Sequence, residues 1–171
     1  MSNLAPQITE LVTRRLRIAL PDGYDAAMTR FDQLVPTADT SRFGQLATWD
    51  AVKELAVINA PYGFMTYWTS NVTALMAGSP SDWRCVSYLL GNHVIAEKMF
   101  HHHAETVLHS PLQALICNDP RGQARFVVDR PSDLLAGYDS PEITAVGREF
   151  DRLLAGLIHE LGGVVPELLT S

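Results

Sequence analysis

"SPEITAVGREFDRLLAGLIHELGG", residues 140–163, is the stretch on which the fold turns. Ser140 is of a type that caps helices, Pro141 suits the first turn, and Glu142 follows. Ile143, Val146, Phe150, Leu153, Leu154, Leu157, Ile158 and Leu161 recur at helical spacing and form one apolar stripe. Gly162 and Gly163 end it. The pattern predicts a long amphipathic helix that closes the fold against an apolar layer. Gly147 falls on the stripe, where a missing side chain either permits close packing on a sheet or leaves room beneath the helix.

The preceding residues supply that layer. "LQALIC" (112–117) and "QARFVV" (123–128) flank "NDPRG", which predicts a β-hairpin. "RCVSYLL" (84–90) and the aromatic, Thr-rich "FMTYWTS" (64–70) are strand-like, with the turn "AGSPSD" between them. "GN" introduces a helix from residue 93 to about 105. Toward the N-terminus, "RRLRIAL" alternates charged and apolar residues, a strand near 13–20 that "PDGY" breaks. Asp25 to Leu34 predicts a helix, "VPTADTSRFG" and the segment 36–46 a loop. A second helix starts at the capping Thr48 and stops at Pro61 and Gly63. The expected class is α+β: a curved, antiparallel, five-stranded sheet with the long C-terminal helix across one face and an extra short helix after the third strand.

The chain has 171 residues, a size that suits a single domain over 1–171 and buries about 70% of its unfolded surface. Hydrophobic residues make up 47% and charged residues 19%, a balance that excludes disorder. A net charge of −6 argues against nucleic acid and anionic membrane as partners, and the basic cluster Arg14, Arg15, Arg17 is too small for a binding footprint. No basic and apolar leader opens the chain and no apolar run approaches membrane-spanning length, so a cytoplasmic protein is expected. Cys85 and Cys117 each lie in a strand-like run without CxxC spacing, which favours small buried hydrophobes over redox or zinc chemistry.

Several strings resemble the bacterial family called domain of unknown function 302 (DUF302). They are "PYGFMTYWTSNV", "VSYLLGNHVIAEKMF", "VLHSPLQALICND" and "PSDLLAGYDSPEITAVGREFDRLLAGLI", and the likeness covers residues 45 to 161. The resemblance implies a TATA-box-binding-protein-like fold (with no implication of DNA binding) and a homodimer. Two positions depart from it. Asn92-His93 stands where relatives carry Asn-Pro, and Ser110-Pro111-Leu112 where they carry Pro-Cys-Asn.

Candidate chemistry gathers on "MFHHHAET" (99–106). On a helical wheel Ile95, Ala96, Met99 and Phe100 mark an apolar arc. If the helix persists, His103 falls near its middle, His102 at its edge and His101 away from it. His103 is therefore a candidate catalytic residue, and His109, beyond the helix, is a second, as imidazoles able to act near neutral pH; a satisfied core or interface histidine is the plainer reading. Tyr67, Trp68, Tyr88, Met99, Phe100 and Phe150 are the candidate lining of a pocket between the C-terminal helix and the sheet. His93, Glu97 and His101, spaced i, i+4, i+8, form an alternative metal or haem set on the opposite face. Arg84, Arg125 and Asp129 are either polar anchors or solvated sheet edges. The functional expectation is a small-molecule binding protein or cofactor-free isomerase, cyclase or lyase. Its alternatives are a non-enzymatic dimeric module with histidines at an interface, and a metal or haem protein.

Overall fold

Alternation of buried and outward side chains sorts five segments into an open sheet, antiparallel throughout. The strands are β1 (Arg15–Ala19), β2 (Met65–Asn71), β3 (Cys85–Gly91), β4 (Leu112–Asn118) and β5 (Ala124–Asp129), in the order β1-β5-β4-β3-β2. The computed structural model describes residues 5–171. Leu16 and Ile18, Val86 to Leu90, Leu112 to Ile116 and Ala124 to Val128 send every second side chain into one buried layer. Such period-two burial is what an antiparallel sheet with one covered face requires.

Two helices cover that face, α1 (Tyr24–Leu34) and α7 (Pro141–Glu160). Phe31 of α1 lies 4.3 Å from the Tyr88 ring and 5.9 Å from Phe126. The α7 stripe is buried as its spacing predicts except for the half-buried Leu153, and Phe150 stacks on Phe64 at 5.9 Å. Each fully buried side chain of this size contributes about 1.5–3 kcal/mol. Ser140 caps α7 by accepting from the Ile143 amide, and Gly162, at φ +79°, turns the chain out of it. The pocket expected beneath α7 is filled by this packing: Tyr88, Met99 and Phe150 are each about 1% exposed and belong to the core.

Gly147 resolves its own alternative. A Cβ there would stand 2.9 Å from the Ser132 Cα, so the glycine admits the short helix α6 (Pro131–Leu134), not the sheet. A buried polar network ties the same corner. Asp151 accepts from Arg130 Nε at 2.8 Å, Ser132 Oγ at 2.6 Å and the Ser132 amide at 3.0 Å. Asp133 accepts from the Arg14 amide and guanidinium. Burial alone would raise the Asp133 carboxyl, but these hydrogen bonds and charges outweigh it and hold it below the ordinary value.

A smaller apolar cluster, Ala38, Ala56, Ala60 and Met65, joins β2 to the helices α2 (Thr40–Gly44), α3 (Trp49–Asn59) and α5 (His93–Phe100). The predicted loop at 36–46 is therefore partly ordered: Thr66 exchanges backbone hydrogen bonds with Pro36 and Ala38, and Asp39 caps α2. A short helix α4 (Val72–Leu75) follows β2.

The histidine helix is shorter than predicted. It ends at Phe100, and a 3-10 turn spans Ala104–His109. His103 is extended, at φ −153°, and exposed. The cause is Thr106, which is fully buried and takes the His103 carbonyl with both its amide and its hydroxyl. A threonine that bonds locally offers the backbone an alternative to another helical turn. The inward placement of His103 on the wheel fails for this reason.

Candidate functional site

The site forms where β3 stops. Asn92 follows Gly91 and caps α5, its Oδ1 accepting from the Val94 and Ile95 amides at 3.1 and 3.4 Å. Its Nδ2 donates to the Gly63 carbonyl, which fixes the helix start against the entry to β2. Across the strands, the β2–β3 register skips between Thr66 and Trp68. Tyr67 is the extra residue of this bulge, and a bulge re-aims the side chain it carries. The Tyr67 ring comes over Gly91, where an added Cβ would stand 3.5 Å from Cε2 and 3.2 Å from the Pro111 Cα.

There Tyr67 meets His93. The Tyr67 Oη accepts from the His93 amide at 3.0 Å and lies 2.7 Å from His93 Nδ1. An oxygen already accepting from the amide can donate its own proton to Nδ1, and in that tautomer the remaining imidazole hydrogen is on Nε2. Phe43 contacts the His93 ring edge-on at 4.4 Å between centroids, and Trp49 does so at 6.4 Å. Burial lowers the His93 pKa below 6.5 and raises the Tyr67 phenol above 10.0, against a smaller opposing effect of its hydrogen bond from His93. Near pH 7 the pair is a neutral imidazole on a neutral phenol.

This pair opens on a concave cavity of about 350 Å³ walled by Trp49, Tyr67, His93, Ala96, Phe100, Val107 and Pro111, with Asn92, Glu97 and Ser110 as its other polar lining. Among the described residues no buried side-chain nitrogen or oxygen lacks a partner, so Nε2, which has none, is open to solvent. An apolar body with one polar handle suits such a place. Nε2 can donate a hydrogen bond to the handle, or the imidazole can move a proton at that atom.

Of the expected residues, Tyr67 and Phe100 line this cavity and Tyr88, Met99 and Phe150 do not. Trp68 is 53% exposed on the face opposite the helices, beside Leu89. His103 and His109 flank Tyr138, at ring distances of 5.1 and 6.4 Å, in a separate groove of about 500 Å³ with Glu105 and Leu11. Burial lowers the His109 pKa as well. The metal alternative is not assembled: His93 faces the cavity, while His101 is exposed with Nδ1 3.8 Å from Glu97. Among the described residues no three His, Cys, Asp or Glu converge to hold a metal ion. Arg84, Arg125 and Asp129 are spent in ion pairs with Asp25, Asp119 and Arg15. Trp49, Asn92, Val107, Ser110 and Pro111 escaped the sequence reading; the one available signal was Asn92 as a helix cap after a strand-ending glycine.

An open antiparallel sheet with its long C-terminal helix on one face defines an α+β protein whose fold is DUF302-like. The chain is similar to the crystal structure of the uncharacterized conserved protein DUF302 from Bacillus stearothermophilus, with a TM-score of 0.64 at 12% identity over 86% of this chain and 97% of that one. No family model matches the sequence, and no curated protein matches it. No helix among the described residues is long and apolar enough to cross a membrane.

Proposed function

We propose that the chain binds a small, mostly apolar molecule carrying one polar group in the cavity at the end of β3. His93 holds that group as a hydrogen-bond donor, or acts on it as acid and base without a cofactor. The observation that carries this reading is the hydrogen-bonded Tyr67–His93 pair facing a mostly apolar recess. A neutral imidazole with its tautomer set by a neighbour is suited to donating or transferring one proton. The test is an amide NMR titration of the labelled chain with a fragment set of aromatic carboxylates, phenols and cyclic ketones. Shifts clustered at Tyr67, His93, Ala96 and Val107, and lost in His93→Ala, support the reading. Shifts confined to the Tyr138 groove, or none, refute it.

A second reading is a homodimer with the histidines at its interface. Phe100, Val107 and Leu108, at 51%, 52% and 75% exposure, bracket the exposed His101, His102 and His103. Exposed apolar side chains close to these histidines in sequence favour burial against a partner. Sedimentation of wild type and Leu108→Glu tests it: a dimer that the substitution dissociates supports the pairing, and a wild-type monomer at micromolar concentration removes it.

A further inference from the structure

Cys85 and Cys117 are 32 positions apart in sequence but directly opposite in the β3–β4 register. Val86 and Ile116, their neighbours, point into the core, so both cysteines point to the face opposite α1 and α7, where they are partly exposed. The ladder fixes the kind of pair. The Asn118 amide donates to the Arg84 carbonyl, which makes Arg84 and Asn118 the hydrogen-bonded neighbours. The Cys85 amide and carbonyl turn the other way, onto the Thr73 hydroxyl. Cys85 and Cys117 are thus a non-hydrogen-bonded pair, the kind whose Cα atoms approach to about 4.5 Å. That separation is at the short end of the range a disulfide spans, roughly 4.4–6.8 Å. Both thiols are free and partly exposed.

We infer that Cys85 and Cys117 form a dithiol–disulfide couple on the sheet face opposite α1 and α7, oxidised by exchange with a small-molecule disulfide. One cysteine thiolate attacks the small disulfide, forming a mixed disulfide and releasing one small thiol. The second cysteine then attacks the protein sulfur of that adduct and releases the other. The protein gives up two electrons and two protons, and one disulfide outside becomes two thiols. Pre-alignment across the ladder favours this second step over lasting adducts. Burial raises both thiols above their ordinary value; Cys85 is pushed further by Cys117, while Arg125 lowers and Asp119 raises Cys117. The exchange is therefore slow at neutral pH. The couple begins β3 and the Tyr67–His93 cavity ends it, about 20 Å away at strand rise, so this inference stands independently of the proposed ligand site.

The experiment incubates the folded wild-type chain with oxidised glutathione at mildly alkaline pH over a range of glutathione ratios, beside the same chain in denaturant. Intact mass, thiol counting and peptide mapping read the result. Expected is a monomeric product lighter by two hydrogens, with one peptide linking Cys85 to Cys117. Its equilibrium constant should exceed that of the denatured chain by about tenfold or more, roughly 30 mV in potential. Cys117→Ser should give only a single glutathione adduct or no reaction. Glutathione adducts on the wild type without closure, cross-linked pairs of chains, or an equilibrium constant no larger than in denaturant would each overturn the inference.

Discussion

Replacing Tyr67 with Phe keeps the ring over Gly91 and deletes only the hydroxyl, so its cost isolates the Tyr67–His93 pair. The hydroxyl makes two contacts, the His93 amide at 3.0 Å and Nδ1 at 2.7 Å. The amide belongs to the first residue of α5, one of those a helix cannot satisfy internally. Asn92 serves the next two, so nothing else is placed to take over the first. A hydrogen bond contributes about 1 kcal/mol net, and an orphaned buried donor costs about 1–3 kcal/mol. The recess is open, which lets water replace part of the loss and sets the expected destabilisation at about 1–2 kcal/mol. The titration of His93 moves too. Burial is what holds the His93 pKa below 6.5 and it remains in the variant, but a donor to Nδ1 also favours the neutral ring, so losing it should raise the midpoint. Urea denaturation measures the first effect and NMR titration of the imidazole carbon-bound protons the second. A stability within about 0.5 kcal/mol of wild type, with an unmoved or lowered His93 midpoint, would refute the pairing.

Gly147→Ala and Gly156→Ala make the same change on one helix with opposite expected signs. At Gly156 nothing lies within 4 Å of an added Cβ, so alanine stabilises by about 0.5–1 kcal/mol. At Gly147 the 2.9 Å approach to the Ser132 backbone turns that gain into a net loss of about 1–3 kcal/mol, and equal midpoints in urea would contradict the packing. Asp151→Asn weakens the charged hydrogen bond to Arg130, which keeps its 3.7 Å contact with Asp133, and should cost about 1.5–3 kcal/mol, read by thermal and urea unfolding; a loss under about 1 kcal/mol would show that the network is dispensable. His93 and His109 both have lowered pKa values from burial, so the unfolded chain takes up their protons first. Their contribution is complete above 6.5 and is lost as pH falls through the lower folded values; His93→Gln with His109→Gln should flatten the fall in urea midpoint below that pH, and an unchanged slope would count against it.

The regular elements were legible because each has a period. Seven stripe positions on α7 and Leu161 at its C-cap, between Ser140 and Gly162, determine a helix and its buried side together, and the outcome follows them. The hairpin at 112–128 and the alternation in "RRLRIAL" work the same way, since a strand with one covered face leaves a two-residue signature. The wheel for residues 93–105 failed where that logic overreached. It extrapolated a period past Phe100, and the competing local bonds of Thr106, six residues on, carry no periodic mark.

The candidate site was illegible for a related physical reason: it is made almost wholly from breaks in periodicity. Strict alternation places Tyr67 opposite Trp68, and one extra residue in the ladder is what brings the phenol over Gly91 to His93, 26 positions away. His93 lies at the first turn of α5, where direction is set by the Asn92 cap and its bond to the Gly63 carbonyl. Val107 arrives from a 3-10 turn, Ser110 and Pro111 from the segment before β4, and Trp49 from the start of a helix on the other side of β2. Each is a terminus or an insertion, so no face-by-face reading assembles them. A cavity built from such junctions can change its lining through short loops while the α1–α7 layer beneath the sheet stays as it is. The same separation predicts that His93→Ala should leave the Phe31–Tyr88–Phe126 core intact, and near-UV circular dichroism of the variant checks it: loss of the aromatic signal would mean that the cavity and the core are one packing unit.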